Sequence, residues 1–171
     1  MPSPLNVVVA RIETLALDAV VNPANTALLP GGGADGAIRR AAGPELDNLL
    51  SQAGGLAEGA ALITPGFRLP SRWIVHTVAP IWRAGRGERE QIALLAQCYK
   101  SCIEAAAELS LRSIGFPAIG AGAYGWPIER ACDIAVTATR GALQRFGVIE
   151  QVTFCCFTES DAAIYRGRVK R

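Results

Sequence analysis

Two glycine-rich loops constrain what this chain can fold into more than any other feature. Residues 31–36 read Gly-Gly-Gly-Ala-Asp-Gly and residues 120–125 read Gly-Ala-Gly-Ala-Tyr-Gly, so both have the spacing Gly-x-Gly-x-x-Gly. Each loop follows an apolar, β-branched run and precedes a helical pattern. Glycines at such a turn let backbone N–H groups face an anion, and the following helix adds the positive end of its dipole. The repeated spacing predicts a site that holds a diphosphate from both sides.

Apolar runs and helical patterns alternate along the chain. Strands are predicted at residues 5–10, 19–21, 60–63, 73–78, 113–119 and 152–157. Helices are predicted at residues 36–42, 45–52, 88–109, 128–146 and about 160–166. Most strand runs are nearly continuous, which is typical of strands covered on both faces and predicts an α/β fold, a three-layer α/β/α sandwich. About ten residues join the third and fourth runs, too few for a helical crossover, so part of the sheet is expected to be antiparallel.

Length and composition favour one domain spanning residues 1–171, with half of the residues hydrophobic and 19% charged. A net charge of +2 does not favour nucleic-acid binding, and the basic residues 166–171 are expected to be a frayed terminus. No leader and no membrane-spanning run is recognisable, so we expect a cytoplasmic protein with no membrane partner. The five cysteines lack ligand spacing, which predicts buried, reduced thiols and no metal.

The glycine spacing alone leaves alternatives open. A P-loop NTPase is excluded because GxxxxGK[ST] is absent. A Rossmann dinucleotide site is disfavoured, because residues 22–30 separate the first loop from its strand and no suitable acid follows the second loop. The plain structural alternative is that both loops are only tight strand-to-helix turns.

Four polar residues are candidates for chemistry. At a strand end an Asn often mimics a turn, which suits Asn22, whereas Asn25 is expected to hold a ribose hydroxyl. Asp35 stands where a helix N-cap is expected, yet it is the only carboxylate in either loop and could bind a ribose hydroxyl or activate a water. His76, the only histidine, lies in an apolar run and is expected to be a core residue rather than a catalytic base.

Several segments match the motifs of one known family: Asn22-Pro-Ala-Asn25, residues 31–38, Arg40-Ala-Ala-Gly43, residues 76–82, and residues 116–127 around the second loop. On these motifs the chain resembles the macrodomains, which bind ADP-ribose. The closest likeness is to the subgroup that deacetylates O-acetyl-ADP-ribose and removes mono-ADP-ribose from acidic side chains. The resemblance covers almost the whole chain and implies a mixed sheet of six strands, as many as there are apolar runs.

The resemblance also implies roles for individual residues. Asn25 would contact the distal ribose, Asp35 would orient or activate the attacking water, and no metal or other cofactor would be needed. The remaining ligand contacts would come from Arg11, Ile12, Asn22, Gly32, Gly33, Gly120, Ala121, Gly122, Ala123, Tyr124 and Phe157. Among these, residues 120–123 would cradle the diphosphate, Tyr124 would pack over the distal ribose, and Phe157 would stack on the adenine.

The chain departs from the family pattern at several positions. Arg11 replaces an Asp that accepts a hydrogen bond from the adenine amino group, and Arg has no acceptor. Arg11 could instead stack on the base or donate to a ring nitrogen. Arg39 stands where the family usually has His, Pro30 replaces a glycine, and Gly120-Ala121 replaces a Ser-Thr pair.

The sequence therefore predicts a hydrolase acting on ADP-ribose esters. Its partners would be ADP-ribose or O-acetyl-ADP-ribose, and mono-ADP-ribosylated proteins. The alternative is a non-catalytic module that binds ADP-ribose or a related nucleotide, and a nicotinamide-dependent oxidoreductase is a third, disfavoured class.

Overall fold

Six strands form the centre of the molecule in the computed structural model, which describes residues 3–171. They are β1 (Leu5–Val9), β2 (Ala19–Pro23), β3 (Ala61–Pro65), β4 (Trp73–Thr77), β5 (Ser113–Pro117) and β6 (Gln151–Cys156). Each predicted strand is confirmed, with ends displaced by one or two residues. The β-branched and aromatic side chains that mark these runs pack well on a pleated surface, which is why the short apolar runs become strands.

Five α-helices accompany the strands in the described part of the chain, as the alternation predicted. They are α1 (Gly33–Ala42), α2 (Pro44–Ser51), α3 (Glu88–Glu108), α4 (Ile128–Arg145) and α5 (Glu159–Val169). Pro44 occupies the first turn of α2, where its missing N–H costs no hydrogen bond. A short 3-10 helix at Ile12–Thr14, which the sequence did not predict, joins β1 to β2.

The sheet has the strand order β1-β6-β5-β2-β4-β3 and is mixed, as predicted. All neighbouring strands are parallel except β3 and β4, which pair antiparallel. The short segment between β3 and β4 enforces this, because it returns the chain without a helix. The other strand-to-strand connections each carry at least one helix.

Buried side chains form a core on each face of the sheet, which confirms the three-layer sandwich. On one face, residues of α3, α4 and α5 pack with inward side chains such as Phe116 and Phe154. On the other face, α1 and α2 supply Ile38 and Leu46, which pack with Val20 and the strand residues beside it. The two faces therefore differ in size, with three helices on one and two on the other.

The expectation of a frayed basic terminus is wrong, because α5 continues to Val169. Arg166 pairs with Glu159, and Arg168 pairs with Asp133 of α4. Arg140, also on α4, donates to the carbonyl of Val169 at 2.7 Å. The first pair lies within α5, and the contacts made by Asp133 and Arg140 hold the last turns of α5 against α4. Separately, no helix within residues 3–171 is both long and apolar enough to cross a bilayer.

Candidate active site

The two glycine loops meet at one edge of the sheet. β2 and β5 are parallel neighbours, so the segments that follow them leave from the same edge. The chain after β2 passes to α1 on one face, whereas the chain after β5 passes to α4 on the other. Ligands of open α/β sheets bind in the crevice that such diverging connections leave. The topology thus places the two predicted phosphate loops on opposite sides of one crevice.

Asp35 lies at the β2 side of this crevice and is only 5% exposed. Its Oδ2 accepts a hydrogen bond from the Gly31 amide at 2.7 Å, and its Oδ1 accepts one from Asn22 Nδ2 at 2.9 Å. Arg39 Nε approaches both oxygens, at 3.1 and 3.0 Å. The carboxylate is therefore held by four contacts, which occupy the lone pairs it has to offer.

The predicted N-cap role of Asp35 is wrong. The N-cap of α1 is Gly32, and Asp35 is the third residue of the helix. Three consecutive glycines let the helix begin earlier than the apolar pattern indicated. From this position the Asp35 side chain accepts a hydrogen bond from the Gly31 amide, which ties the glycine loop to the first turn of α1.

Asn22 lies behind Asp35 and is fully buried. It is part of β2 rather than of the following turn, so its interpretation as a turn mimic is wrong. Its amide nitrogen donates both to Asp35 and to His76 Nδ1, the latter at 3.0 Å. Because Asn22 has no exposed surface, the expected direct contact with a ligand is corrected to a contact with Asp35. Among the described residues, no group donates to Asn22 Oδ1.

His76 continues this buried chain across the sheet. It faces Asn22 in the register of β2 and β4, and it is fully buried, as predicted for a core residue. Since Nδ1 accepts from Asn22, the hydrogen lies on Nε2, which donates to Thr64 Oγ1 at 2.9 Å. Burial, with a smaller contribution from the Arg39 charge, lowers the pKa of His76 to about 3. The ring is therefore neutral and orients Asn22 from behind.

Asn25 stands on the exposed side of the same loop. Its side chain accepts from the Leu29 amide at 2.9 Å and donates to the Leu29 carbonyl at 2.7 Å. A Cβ added to Gly31 would lie 3.3 Å from Asp35 Oδ2 and 3.9 Å from Asn25 Nδ2. Gly31 therefore lies between Asn25 and Asp35, and its lack of a side chain leaves the space above them open. Gly32 and Gly33 are exposed beside it.

Several amides of the second loop have no acceptor in the protein. The N–H groups of Gly120, Gly122 and Ala123 donate to no backbone or side-chain acceptor within residues 3–171. Ala121 differs, because its N–H donates to the Ala118 carbonyl at 3.2 Å. Amides of a glycine-rich turn that lack a protein acceptor are available to bind an anion, and the Tyr124 N–H is free in the same way. Of the four amides predicted to hold a diphosphate, three are free in this structure and that of Ala121 donates within the loop.

Trp126 fixes the shape of this loop. Its backbone N–H donates to the Gly120 carbonyl at 3.0 Å, and its indole N–H donates to the Pro80 carbonyl at 2.9 Å. Gly120 has a φ of +83°, and a Cβ there would lie 2.6 Å from Trp126 Cδ1. Tyr124 is partly buried against the same core, and its carbonyl accepts from Trp82. The loop is therefore preformed.

β1 and β6 lie at one side of the sheet, and their C-terminal ends continue the row of strand ends that borders the crevice. Arg11 follows β1 and Phe157 follows β6, and the two strands are held together up to the Ala10–Cys156 hydrogen bond of 3.1 Å. Phe157 is 79% exposed, which leaves its ring free for stacking. Arg11 is exposed and its Nε pairs with Glu13 at 2.7 Å. The Ile12 side chain is buried, so only its backbone is available to a ligand.

Arg39 is the member of the buried group around Asp35 to which the sequence reasoning gave no role. It is one helical turn after Asp35 on α1, at the i,i+4 spacing at which opposite charges meet. That spacing was visible in the sequence and could have identified the pair. Thr64 gave no comparable signal, because its contact with His76 depends on the pairing of β3 with β4.

Comparison with known proteins places the chain in a family. The model of the Macro domain family matches residues 21–135. A macro domain-containing protein of Chlorobaculum tepidum is 47% identical over 163 residues, which covers 95% of this chain and 93% of the relative. A protein of Klebsiella pneumoniae named O-acetyl-ADP-ribose deacetylase is 46% identical over 164 residues, covering 94% and 93%.

Solved structures give the same result. The Oceanobacillus iheyensis macrodomain with ADP superposes with a TM-score of 0.91 at 41% identity, covering 97% of this chain and 90% of that one. The Trypanosoma brucei macrodomain in complex with ADP-ribose gives 0.89 at 37% identity, covering 96% and 68%. The fold, the two crevice loops and these similarities together show that the chain belongs to the macrodomain family.

Proposed function

We propose that this protein is a hydrolase that binds ADP-ribose esters and removes the acyl group. One observation carries the proposal: a buried carboxylate, Asp35, is fixed on one side of the crevice, and the loop on the other side carries free amides at Gly120, Gly122 and Ala123. The similarity to relatives named O-acetyl-ADP-ribose deacetylase supports the same conclusion. O-acetyl-ADP-ribose is the expected substrate, and mono-ADP-ribose esterified to acidic protein side chains offers the same bond.

The ligand would lie along the carboxyl edge of the sheet. The diphosphate fits the amides of Gly120, Gly122 and Ala123, because these donors carry no competing acceptor. The flat base fits the exposed ring of Phe157 at the far end of the edge. The distal ribose then falls beside Asn25 and Asp35, where polar side chains can bind its hydroxyl groups.

The reaction would be the attack of water on the acyl carbon. The bond between that carbon and the ribose oxygen breaks, the ribose oxygen takes a proton, and acetate and ADP-ribose leave. Asp35 would orient the water and take one of its protons, for which one of its four contacts must open. The Gly31 amide is the one that belongs to an exposed loop, so we assign the opening to that contact.

Asp35→Asn tests the proposal, because it removes the charge but keeps the side-chain volume beside Arg39. Turnover of O-acetyl-ADP-ribose is expected to fall by about 100-fold or more, the usual contribution of a general base. Calorimetric affinity for ADP-ribose is expected not to fall, because the substitution removes a negative charge near the diphosphate. Asp35→Ala is less suitable, since it also leaves a cavity beside Arg39.

Glu45→Gln is the matched control, because Glu45 is an exposed acid in the first turn of α2. It should leave both turnover and affinity unchanged. Equal turnover in wild type and Asp35→Asn would remove Asp35 from the chemistry.

The second candidate function is a non-catalytic ADP-ribose-binding module. The saturation of the Asp35 carboxylate by four contacts favours it, because a carboxylate with no free lone pair cannot take a proton from water. Calorimetric binding of ADP-ribose without turnover of O-acetyl-ADP-ribose in the wild-type protein would establish this alternative.

A further inference from the structure

Arg39 contacts three separate parts of the chain around the first loop. Its Nε lies 3.1 and 3.0 Å from the two oxygens of Asp35. Its Nη1 donates to Asp47 Oδ1 of α2 at 2.7 Å, and its Nη2 donates to the Leu28 carbonyl at 2.9 Å. The guanidinium thereby connects three groups: the Asp35 carboxylate, helix α2, and the loop that follows β2.

The Arg39–Asp35 pair is buried at both ends. Each residue is only 5% exposed, so neither charge is screened by water. Asp47, in contrast, keeps 44% of its side chain exposed. A buried carboxylate beside a bound diphosphate would repel it, since both carry negative charge. The positive charge of Arg39 cancels that of Asp35 at the point of contact.

We infer that Arg39 is a positioning residue for the ester-hydrolysing site: it fixes the direction of the Asp35 carboxylate and cancels the charge that this carboxylate would present to a diphosphate. The inference rests on the proposed function, whose ligand and reaction it uses. Arg39 then makes two separate contributions. Its orientation of Asp35 governs the rate of turnover, and its charge governs the affinity for ADP-ribose.

Two substitutions separate these contributions. Arg39→Lys keeps the charge but cannot reach Asp35, Asp47 and the Leu28 carbonyl together, because an ammonium lacks the planar fork. It should keep ADP-ribose affinity within about threefold and lower kcat for O-acetyl-ADP-ribose by about 10- to 100-fold. Arg39→Gln keeps a donor for Asp35 but removes the charge, and it should weaken ADP-ribose binding by about 10-fold.

A double variant distinguishes charge compensation from a merely structural role. Arg39→Gln leaves Asp35 as a buried charge without a cation, which also lowers stability. Adding Asp35→Asn removes that charge, so the double variant should recover ADP-ribose affinity to within about threefold of wild type. Turnover should not recover. Urea unfolding must show all three proteins fully folded at the assay temperature, so that a recovery of stability alone cannot account for the recovered affinity.

Arg40→Gln is the matched control for charge. Arg40 is the next residue on α1, is exposed, and has no ion-pair partner in the described part of the chain. The same change there should alter neither affinity nor turnover. If the Arg39 variants behave like Arg40→Gln, or if the double variant binds ADP-ribose no better than Arg39→Gln, the inference is wrong.

These outcomes stay distinct from those of the proposed function. Wild-type protein that binds ADP-ribose without turning over the acetyl ester would overturn the hydrolase proposal and the orientation role of Arg39. The affinity comparison would still decide its charge role. Wild-type protein with no affinity for ADP-ribose would overturn both.

Discussion

At the scale of single residues, the site depends on buried polar groups that satisfy one another. Asp35 contacts Asn22, and Asn22 contacts His76, which ends on Thr64. Buried polar groups are costly unless they are paired, so each member constrains the next. This series of hydrogen bonds orients the Asp35 carboxylate from its buried side. The series requires a neutral His76, because a protonated ring would have no acceptor for the Asn22 amide.

His76 should therefore make stability depend on pH. Its pKa of about 3 in the folded protein lies below its unfolded value of 6.5, so the unfolded chain takes up a proton first as the pH falls. Between pH 7.5 and 5.0 the free energy of unfolding should fall by about 2 kcal/mol from this group. Urea unfolding at the two pH values measures the change.

The variant His76→Gln supplies the control for that measurement, because Gln does not titrate and can still hydrogen-bond. Its loss of stability over the same pH interval should be smaller by about 2 kcal/mol. Equal losses in the two proteins would show that His76 is not held neutral.

At the scale of elements, the second loop depends on backbone conformation rather than on side-chain chemistry. Gly120 has a positive φ and faces Trp126 too closely for a Cβ, whereas a Cβ at Gly122 would meet nothing within 4 Å. The two glycines share one loop but differ in what they contribute. Gly120 shapes the turn, and Gly122 keeps the approach to its amide open.

Gly120→Ala should thus destabilise the protein, while Gly122→Ala should not. The positive φ and the contact with Trp126 together predict a loss of at least about 2 kcal/mol for Gly120→Ala. Gly122→Ala should change the free energy of unfolding by no more than about 0.5 kcal/mol. Urea denaturation of both variants is the measurement, and equal stabilities would contradict the preformed loop.

At the scale of the whole molecule, the sheet separates two cores, and both contain cysteine. Cys155 lies in the core beside α1 and α2, and the other four cysteines lie in the core beside α3, α4 and α5. All five thiols are free and buried. Burial raises the pKa of Cys98 and Cys155 to about 11 and that of Cys132 and Cys156 to about 12. The reactive form of a thiol is the thiolate, so the folded molecule suppresses its formation as well as access to it.

Native protein at pH 8 should consequently react with a disulfide reagent only as fast as it unfolds. In urea, five thiols per chain should react at once. Spectrophotometric counting of released thiol measures both. Rapid modification of even one thiol in the native protein would show that one core opens without global unfolding.

Local patterns were sufficient to predict much of this molecule. The six strands, the antiparallel pair and the buried His76 all followed from apolar runs and short connections. What could not be predicted depends on partners distant in sequence. The last turns of α5 are ordered by Asp133 and Arg140 of α4, and Asn22 is buried because β4 brings His76 beside it. The basic composition of residues 166–171 predicted a frayed terminus, and the position of Asn22 at a strand end predicted a turn.

The pairing of β1 with β6 has a consequence for the order of folding. Within the described residues, Leu5–Val9 pairs only with Gln151–Cys156, which follows every other strand in the sequence. Closing so long a loop is entropically costly, so this pairing is expected to form late in folding. Arg11 and Phe157 are brought to the same corner of the crevice by that pairing, so this corner is expected to be completed last.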